Sequence, residues 1–173
     1  FPLKVERPLP KEEPQPKTLP GSPKAYTQQE IDDLFNPPDW FPDRAPAPPA
    51  IILKGHGDVP GCAACHLTSG LGHPESADLT GLSVAYMVEQ MKDFKSGARI
   101  DTARMTKIGK ATSDEESQQA AEWFAKLKPL PFSRVVEADT VPKTFVGDGR
   151  MRFAEPGGEM EPIGNRIITL PED

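Results

Sequence analysis

Cys62-Ala63-Ala64-Cys65-His66 is the stretch that decides this chain. Two cysteines separated by two residues serve three chemistries: a redox dithiol, half of a zinc site, or the thioether anchor of a haem. The histidine that follows selects the third, because C-x-x-C-H is the pattern by which haem c is attached. The spacing has a physical cause. Each sulfur adds across one haem vinyl group, and two intervening residues on one helical turn match the vinyl separation. The next residue, His66, then lies beneath the iron as its proximal ligand. A thiol redox motif would also require a βαβ context, which the flanking sequence does not provide. Zinc would require further ligands at close spacing, where only His56 and His73 are at hand.

The composition around the motif narrows the architecture. Cys62 and Cys65 are the only cysteines in 173 residues, so no disulfide framework competes. Of 21 prolines, 13 lie in residues 1–50. Proline fixes φ and removes a donor, so this stretch cannot build a sheet or a long helix. Residues 1–50 therefore read as a Pro-rich N-terminal arm, with Phe1, Leu3, Val5 and Leu9 available to dock it. Residues 51–130 read as the core domain, and residues 131–173 as a C-terminal β extension. The net charge is −6, and the acidity lies mostly at the two ends. That excludes a nucleic-acid binder, which needs a basic footprint. No stretch reaches the ~20 consecutive apolar residues that span a bilayer.

Helix signals place the motif. Thr27 and Glu30 form a capping box for a short helix over 27–35, with Tyr26 and Ile31 as its hydrophobic staple. Asn36-Pro37-Pro38 ends it, and Trp40 and Phe41 follow in an irregular loop that must pack on the core domain or on a partner. Glycines and Pro60 restrict the motif itself to a short helix near Cys62. Val84, Met87, Val88, Met91 and Phe94 recur at helical spacing and predict an amphipathic helix over Thr80–Lys95. Ser113 and Glu116 open another, whose buried side is Ala120, Ala121, Trp123, Phe124 and Leu127. In the tail, Arg134–Val136 reads as a strand, Phe145–Phe153 as a hairpin around Gly147-Asp148-Gly149, and Arg166–Leu170 as a third strand.

The sixth ligand separates electron transfer from catalysis, since methionine there raises the potential and closes the iron. Met87 and Met91 fall at i, i+4 on the amphipathic helix, where methionines pack cores. Met151 and Met160 lie in the tail. Met105 lies 39 residues beyond His66, in an irregular segment between two helices, and a loop there carries its thioether to the opposite haem face. Met105 is the first choice, with Met91, Met87 and the pair His56 and His73 as alternatives. The proximal His66 needs an acceptor for its other ring nitrogen, and a carbonyl of Gly70–Asp78, Pro74 above all, is the expected source. Tyr86 and Trp123 are candidates to reach a propionate.

Gly61-Cys-Ala-Ala-Cys-His66, Leu79-Thr-Gly-Leu82, Tyr86, Gln90-Met-Lys-Asp-Phe94, Gly97-Ala-Arg99, Met105 and Ser113–Leu127 together resemble the class I c-type cytochromes. The likeness covers residues 55–128 and is strongest to bacterial periplasmic monohaem domains, some of which occur in tandem dihaem proteins. The resemblance implies a mainly α fold around one covalent haem c, with His66 and Met105 as axial ligands and Cys62 and Cys65 as anchors. It also implies an electron carrier rather than an enzyme. The chain departs from the pattern at Leu67, where the family commonly has glycine, and at Ala77, where it tends to have proline. The arms have no counterpart in the minimal domain.

These readings imply a periplasmic protein. Haem c is attached outside the cytoplasmic membrane, and Phe1 in place of Met reads as a processed terminus. Residues 92–110 hold Lys92, Lys95, Arg99, Arg104, Lys107 and Lys110 against Asp93 and Asp101, a local balance of +4. Such a patch suits an acidic redox partner, and the arms suit the cytochrome subunit of a larger oxidoreductase. The alternative class is a haem enzyme or small-ligand sensor with an open sixth position.

Overall fold

Local signals in residues 15–66 explain the first elements of the structure, a computed structural model that describes residues 6, 15–73, 76–131, 133–147 and 151–171. Two compact units divide the chain: Pro14–Leu130, and Phe1–Glu13 with Pro131–Asp173. In the first, Lys17 and Tyr26 form an isolated antiparallel bridge. Helix α1 (Gln28–Ile31) starts at Thr27, whose side chain accepts from the Glu30 N–H while the Glu30 carboxylate accepts from the Thr27 N–H. It is shorter than its signal, because the Asp33 side chain accepts from the Phe35 N–H and turns the chain before Asn36. Tyr26 packs edge-on against Trp40 at 4.9 Å, and its hydroxyl donates to the Asp39 carbonyl. The Arg44 guanidinium lies 3.6 Å over the Phe41 ring. Both loop aromatics therefore pack within their own segment. The docking residues Phe1, Leu3, Val5 and Leu9 lie outside the described residues.

Helix α2 (Ala50–Leu53) follows the prolines and buries Ile51 and Ile52. Helix α3 (Ala63–His66) carries the haem motif. Helix α4 (Val84–Ser96) is capped by the Ser83 side chain, so the Thr80 end of its pattern is a turn rather than helix. Helix α5 (Met105–Ala111) and helix α6 (Asp114–Phe124) follow, the latter with a Ser113–Glu116 capping box. Helix α4 packs against α5 and α6, and α2 against α3 and α6. Ile51, Ile52, Ala63, Met87, Ala121, Trp123, Phe124 and Leu127 form one buried cluster between them. Each large apolar side chain there contributes roughly 1.5–3 kcal/mol on burial. The Trp123 indole N–H donates to the Pro46 carbonyl at 2.9 Å, which ties the proline segment to α6. Trp123 is thus committed to the backbone and does not point a free N–H at a propionate.

The second unit is β. Strand β1 (Thr140–Pro142) pairs antiparallel with β4 (Met160–Pro162), Val141 opposite Glu161. Strand β2 (Thr144–Val146) pairs with β3 (Arg152–Ala154), Phe145 opposite Phe153. The expected hairpin is present, although Asp148, Gly149 and Arg150 of its turn lie outside the described residues. Two expected strands are not. Residues 134–136 and 166–170 are not in strands, with Val135 91 % and Ile167 96 % exposed. β-Branched runs favour strands only where a neighbour covers them, and here Met160–Pro162 takes the pairing edge. Among the described residues no helix is long and apolar enough to cross a membrane. The architecture is mainly helical, with a small β extension.

Candidate haem site

Backbone hydrogen bonds set the motif before any side chain acts. Cys62 N–H donates to the Ile51 carbonyl at 3.0 Å, which hangs α3 from α2. Cys62 is the N-cap of α3 and Cys65 its third residue, so the two thiols sit one turn apart. Both are free thiols. Cys62 is only half-buried by exposed area, yet its surroundings are crowded enough that burial pushes its thiol up to about 12.

His66 ends α3. Its Nδ1 lies 2.9 Å from the Ala77 carbonyl. A carbonyl only accepts, so Nδ1 carries the proton and Nε2 keeps its lone pair for a metal. Burial lowers the imidazole pKa, which favours that neutral form. The acceptor belongs to the predicted loop, but it is Ala77; Pro74 lies outside the described residues. The loop closes tightly. Gly72 donates to the His66 carbonyl at 3.0 Å and His73 N–H to the Cys65 carbonyl at 3.1 Å. Gly72 has φ +76°, and a Cβ there would stand 2.5 Å from the Ser76 carbonyl oxygen and 2.7 Å from that of Ala77. Only glycine lets this loop fold back far enough to present Ala77 to His66. Phe124 meets the His66 ring edge-on at 6.2 Å between centroids. Leu67 carries the chain out of α3 at φ 61°, ψ 158°, a region that glycine alone occupies freely. The departure from the family pattern at this position is therefore a strained residue.

The remaining candidates separate. Met87 lies in the buried cluster and Met91 is half-buried on α4. Met151 and exposed Met160 belong to the β unit. His56 is occupied by Glu116, Nε2 to Oε1 at 3.0 Å, and His73 is exposed. Met105, half-buried, is the first residue of α5. Its neighbour Arg104 places Nη1 3.2 Å from the Cys65 sulfur, which brings the Met105 segment beside the motif across 39 residues. The Asp101 carboxylate accepts from Met105, Arg104 and Ala103, and the bond from Met105 is the main cause of its lowered pKa. Sequence reasoning missed Asp101 because it read the Met105 segment as irregular, whereas Met105–Ala111 is helical and an Asp ahead of a helix start is a capping signal.

The basic window is partly compensated. Lys92 pairs with Glu89, Lys95 with Asp114 and Lys107 with Asp58, at 3.8, 2.7 and 3.9 Å. Those three carboxylates lie outside residues 92–110, so the local balance falls from +4 to +1 once they are counted. Arg99 bonds Gln90 and stacks on Phe94.

No protein-family model matches the chain. A cytochrome c-554(548) of Halomonas halodenitrificans is 32% identical over 74 residues, which cover 41% of this chain and 89% of that protein. The chain belongs to the class I c-type cytochromes. A thiosulfate dehydrogenase electron acceptor of Thiomonas intermedia is 33% identical over 85 residues, 48% of this chain and 39% of that protein. The cytochrome thus spans about two fifths of the length of that relative. The reduced cytochrome c4 of Pseudomonas stutzeri, a solved structure, overlaps 39% of this chain and 38% of its own at 27% identity, with a TM-score of 0.37.

Haem c is the cofactor that comes with the family, and electron transfer is its activity. The residues fit the group: two free thiols one helical turn apart, and an imidazole whose Nδ1 is already satisfied. Among the described residues no group of three or more His, Cys, Asp or Glu is arranged to hold a bare metal ion. Bound here, haem c supplies a one-electron iron couple. The chain's own part would be to fix the orientation of the His66 imidazole through the Ala77 carbonyl and to pack Phe124 against it.

Proposed function

We propose that this protein carries a single haem c on residues 51–130, anchored by Cys62 and Cys65 and ligated by His66 and Met105, with residues 1–50 and 131–173 as appended arms. It works in the periplasm as a one-electron carrier, serving as acceptor for an oxidoreductase or as its cytochrome subunit. The likeness to a thiosulfate dehydrogenase electron acceptor makes a thiosulfate-oxidising enzyme the first donor to test. The observation that carries the reading is the satisfied His66 Nδ1, because it leaves one imidazole nitrogen for iron within a turn of two free thiols. Docking is proposed at Lys92, Lys95, Arg99, Arg104, Lys107 and Lys110. With a balance near +1 on that face, orientation rather than long-range attraction is its contribution.

The test uses the matured full chain. A ratio of one haem per polypeptide, a low-spin spectrum with the near-infrared band of methionine-ligated ferric haem, and loss of that band in Met105→Ala support the reading. A high-spin ferric spectrum in the unaltered protein overturns it in favour of an enzyme or sensor with an open sixth position. Rapid mixing with a thiosulfate dehydrogenase plus thiosulfate tests the donor. Absence of haem reduction on the turnover timescale excludes that partner.

A further inference from the structure

Asp101 stands four residues before Met105, and its carboxylate gathers the backbone of the turn between them. Oδ1 accepts from the Ala103 N–H at 3.0 Å, and Oδ2 accepts from Arg104 at 3.1 Å and from Met105 itself at 2.7 Å. A return bond runs from the Asp101 N–H to the Thr106 Oγ1 at 2.8 Å. These bonds close residues 101–106 into a ring that contains Met105. The N-cap residue of α5, Arg104, has φ −147°, ψ −53° and makes no side-chain cap bond of its own, so the Asp101 carboxylate takes the N–H groups at this end. Charged acceptors bind N–H groups about twice as strongly as neutral ones, so one carboxylate sets the local path of the chain.

A thioether is a weak ligand. Its hold depends on how little the chain must give up to present it, which is the general benefit of preorganisation. We propose that Asp101 and Thr106 are a positioning pair that holds Met105 in its ligating place and resists its displacement. The inference rests on the reading of Met105 as sixth ligand. The pair touches backbone and not the reacting atoms, so it positions rather than ligates.

The test is displacement of the sixth ligand by imidazole in the ferric, matured full chain, followed optically. Asp101→Ala is expected to bind imidazole about tenfold more tightly than the unaltered protein, within the roughly 2- to 30-fold range that loss of a capping side chain spans. Asp101→Asn keeps one carbonyl oxygen and Thr106→Val keeps the shape of the side chain, so each is expected near threefold, on the order of half that effect. Both are mild enough to fold if Asp101→Ala does not. Ser113→Ala, which removes a cap from α6 and leaves residues 101–106 intact, is expected to lower the unfolding midpoint and leave imidazole affinity unchanged. That contrast separates positioning from general destabilisation. If Asp101→Asn and Thr106→Val bind imidazole as the unaltered protein does, while Met105→Ala abolishes the near-infrared band, the positioning pair is refuted and the ligand reading stands. If Met105→Ala keeps the band, the ligand reading fails, and the inference fails with it.

Discussion

Gly72→Ala puts the loop that orients His66 under direct strain. At φ +76° an alanine costs about 1–2 kcal/mol of backbone energy. The new Cβ would also meet two carbonyl oxygens, of Ser76 at 2.5 Å and Ala77 at 2.7 Å, and neither can swing aside like a side-chain tip. The loop must widen, which endangers the His66 Nδ1–Ala77 bond of 2.9 Å and the Gly72–His66 bond of 3.0 Å. At about 1 kcal/mol for a bond lost, the total is roughly 3 kcal/mol. With an m-value near 2 kcal/mol per molar urea, the unfolding midpoint should fall by about 1.5 M. With His66 as the proposed proximal ligand, the midpoint potential should rise, because an imidazole without its acceptor would donate less to ferric iron. One hydrogen bond of about 1 kcal/mol, fully lost in one oxidation state, bounds the rise at roughly 40 mV. Gly57→Ala is the control: φ is +52°, but its Cβ would meet nothing within 4 Å, so only the backbone cost applies and the potential stays put. Equal effects of the two substitutions, on both urea midpoint and potential, would falsify the argument that close approach at Gly72 sets the His66 acceptor.

Leu67 offers an inverted test: at φ 61°, ψ 158°, Leu67→Gly should be more stable than Leu67→Ala by about 1 kcal/mol, the reverse of the usual order, and urea unfolding of the two variants reads it. Trp123→Phe keeps the ring in the core and removes only the bond to the Pro46 carbonyl, so a loss of about 1 kcal/mol is expected in the same assay. Glu116 accepts from the Ser113 N–H, which holds its carboxyl below the ordinary value of 4.5. Its folded pKa is depressed, so its stabilisation is present in full above 4.5 and is lost as pH falls through the lower folded value; the stability gap between the unaltered protein and Glu116→Gln should close as thermal unfolding is followed from neutral pH into that range.

What could be read from the sequence was what is local. The capping boxes at Thr27–Glu30 and Ser113–Glu116 are contacts over three residues, and the structure contains both. The buried side of α6 follows from helical periodicity, so Ala121, Trp123, Phe124 and Leu127 were all legible. The haem motif is five residues long and needs no tertiary context. The features that escaped depend on which distant group arrives. The partner of Trp123 is a carbonyl 77 positions away. Arg134–Val136 has strand-forming residues, but strand identity is a property of a pair, and Thr140–Pro142 and Met160–Pro162 found each other instead. The loop acceptor for His66 was legible as a segment and not as a residue, because the fold-back that selects Ala77 is set by the backbone at Gly72.

The charge reading illustrates the same limit with a functional consequence. A window along the sequence counts only charges that are near in the chain, whereas a partner meets charges that are near in space. Lys92, Lys95 and Lys107 each face a carboxylate from outside the window. Exposed pairs of this kind contribute little to stability, about 0–1 kcal/mol each, so they do not lock the lysines in place. They do cancel the far field: beyond a Debye length of about 8 Å a paired charge is close to a dipole. If this face docks an acidic partner, as proposed, that partner feels little attraction until it is near enough to compete for the same lysines. At that distance it can displace Glu89, Asp58 or Asp114 at small cost, since each pair is weak. A docking face built this way would give an encounter rate that depends only weakly on salt, and easy release, which is what the proposed carrier role requires.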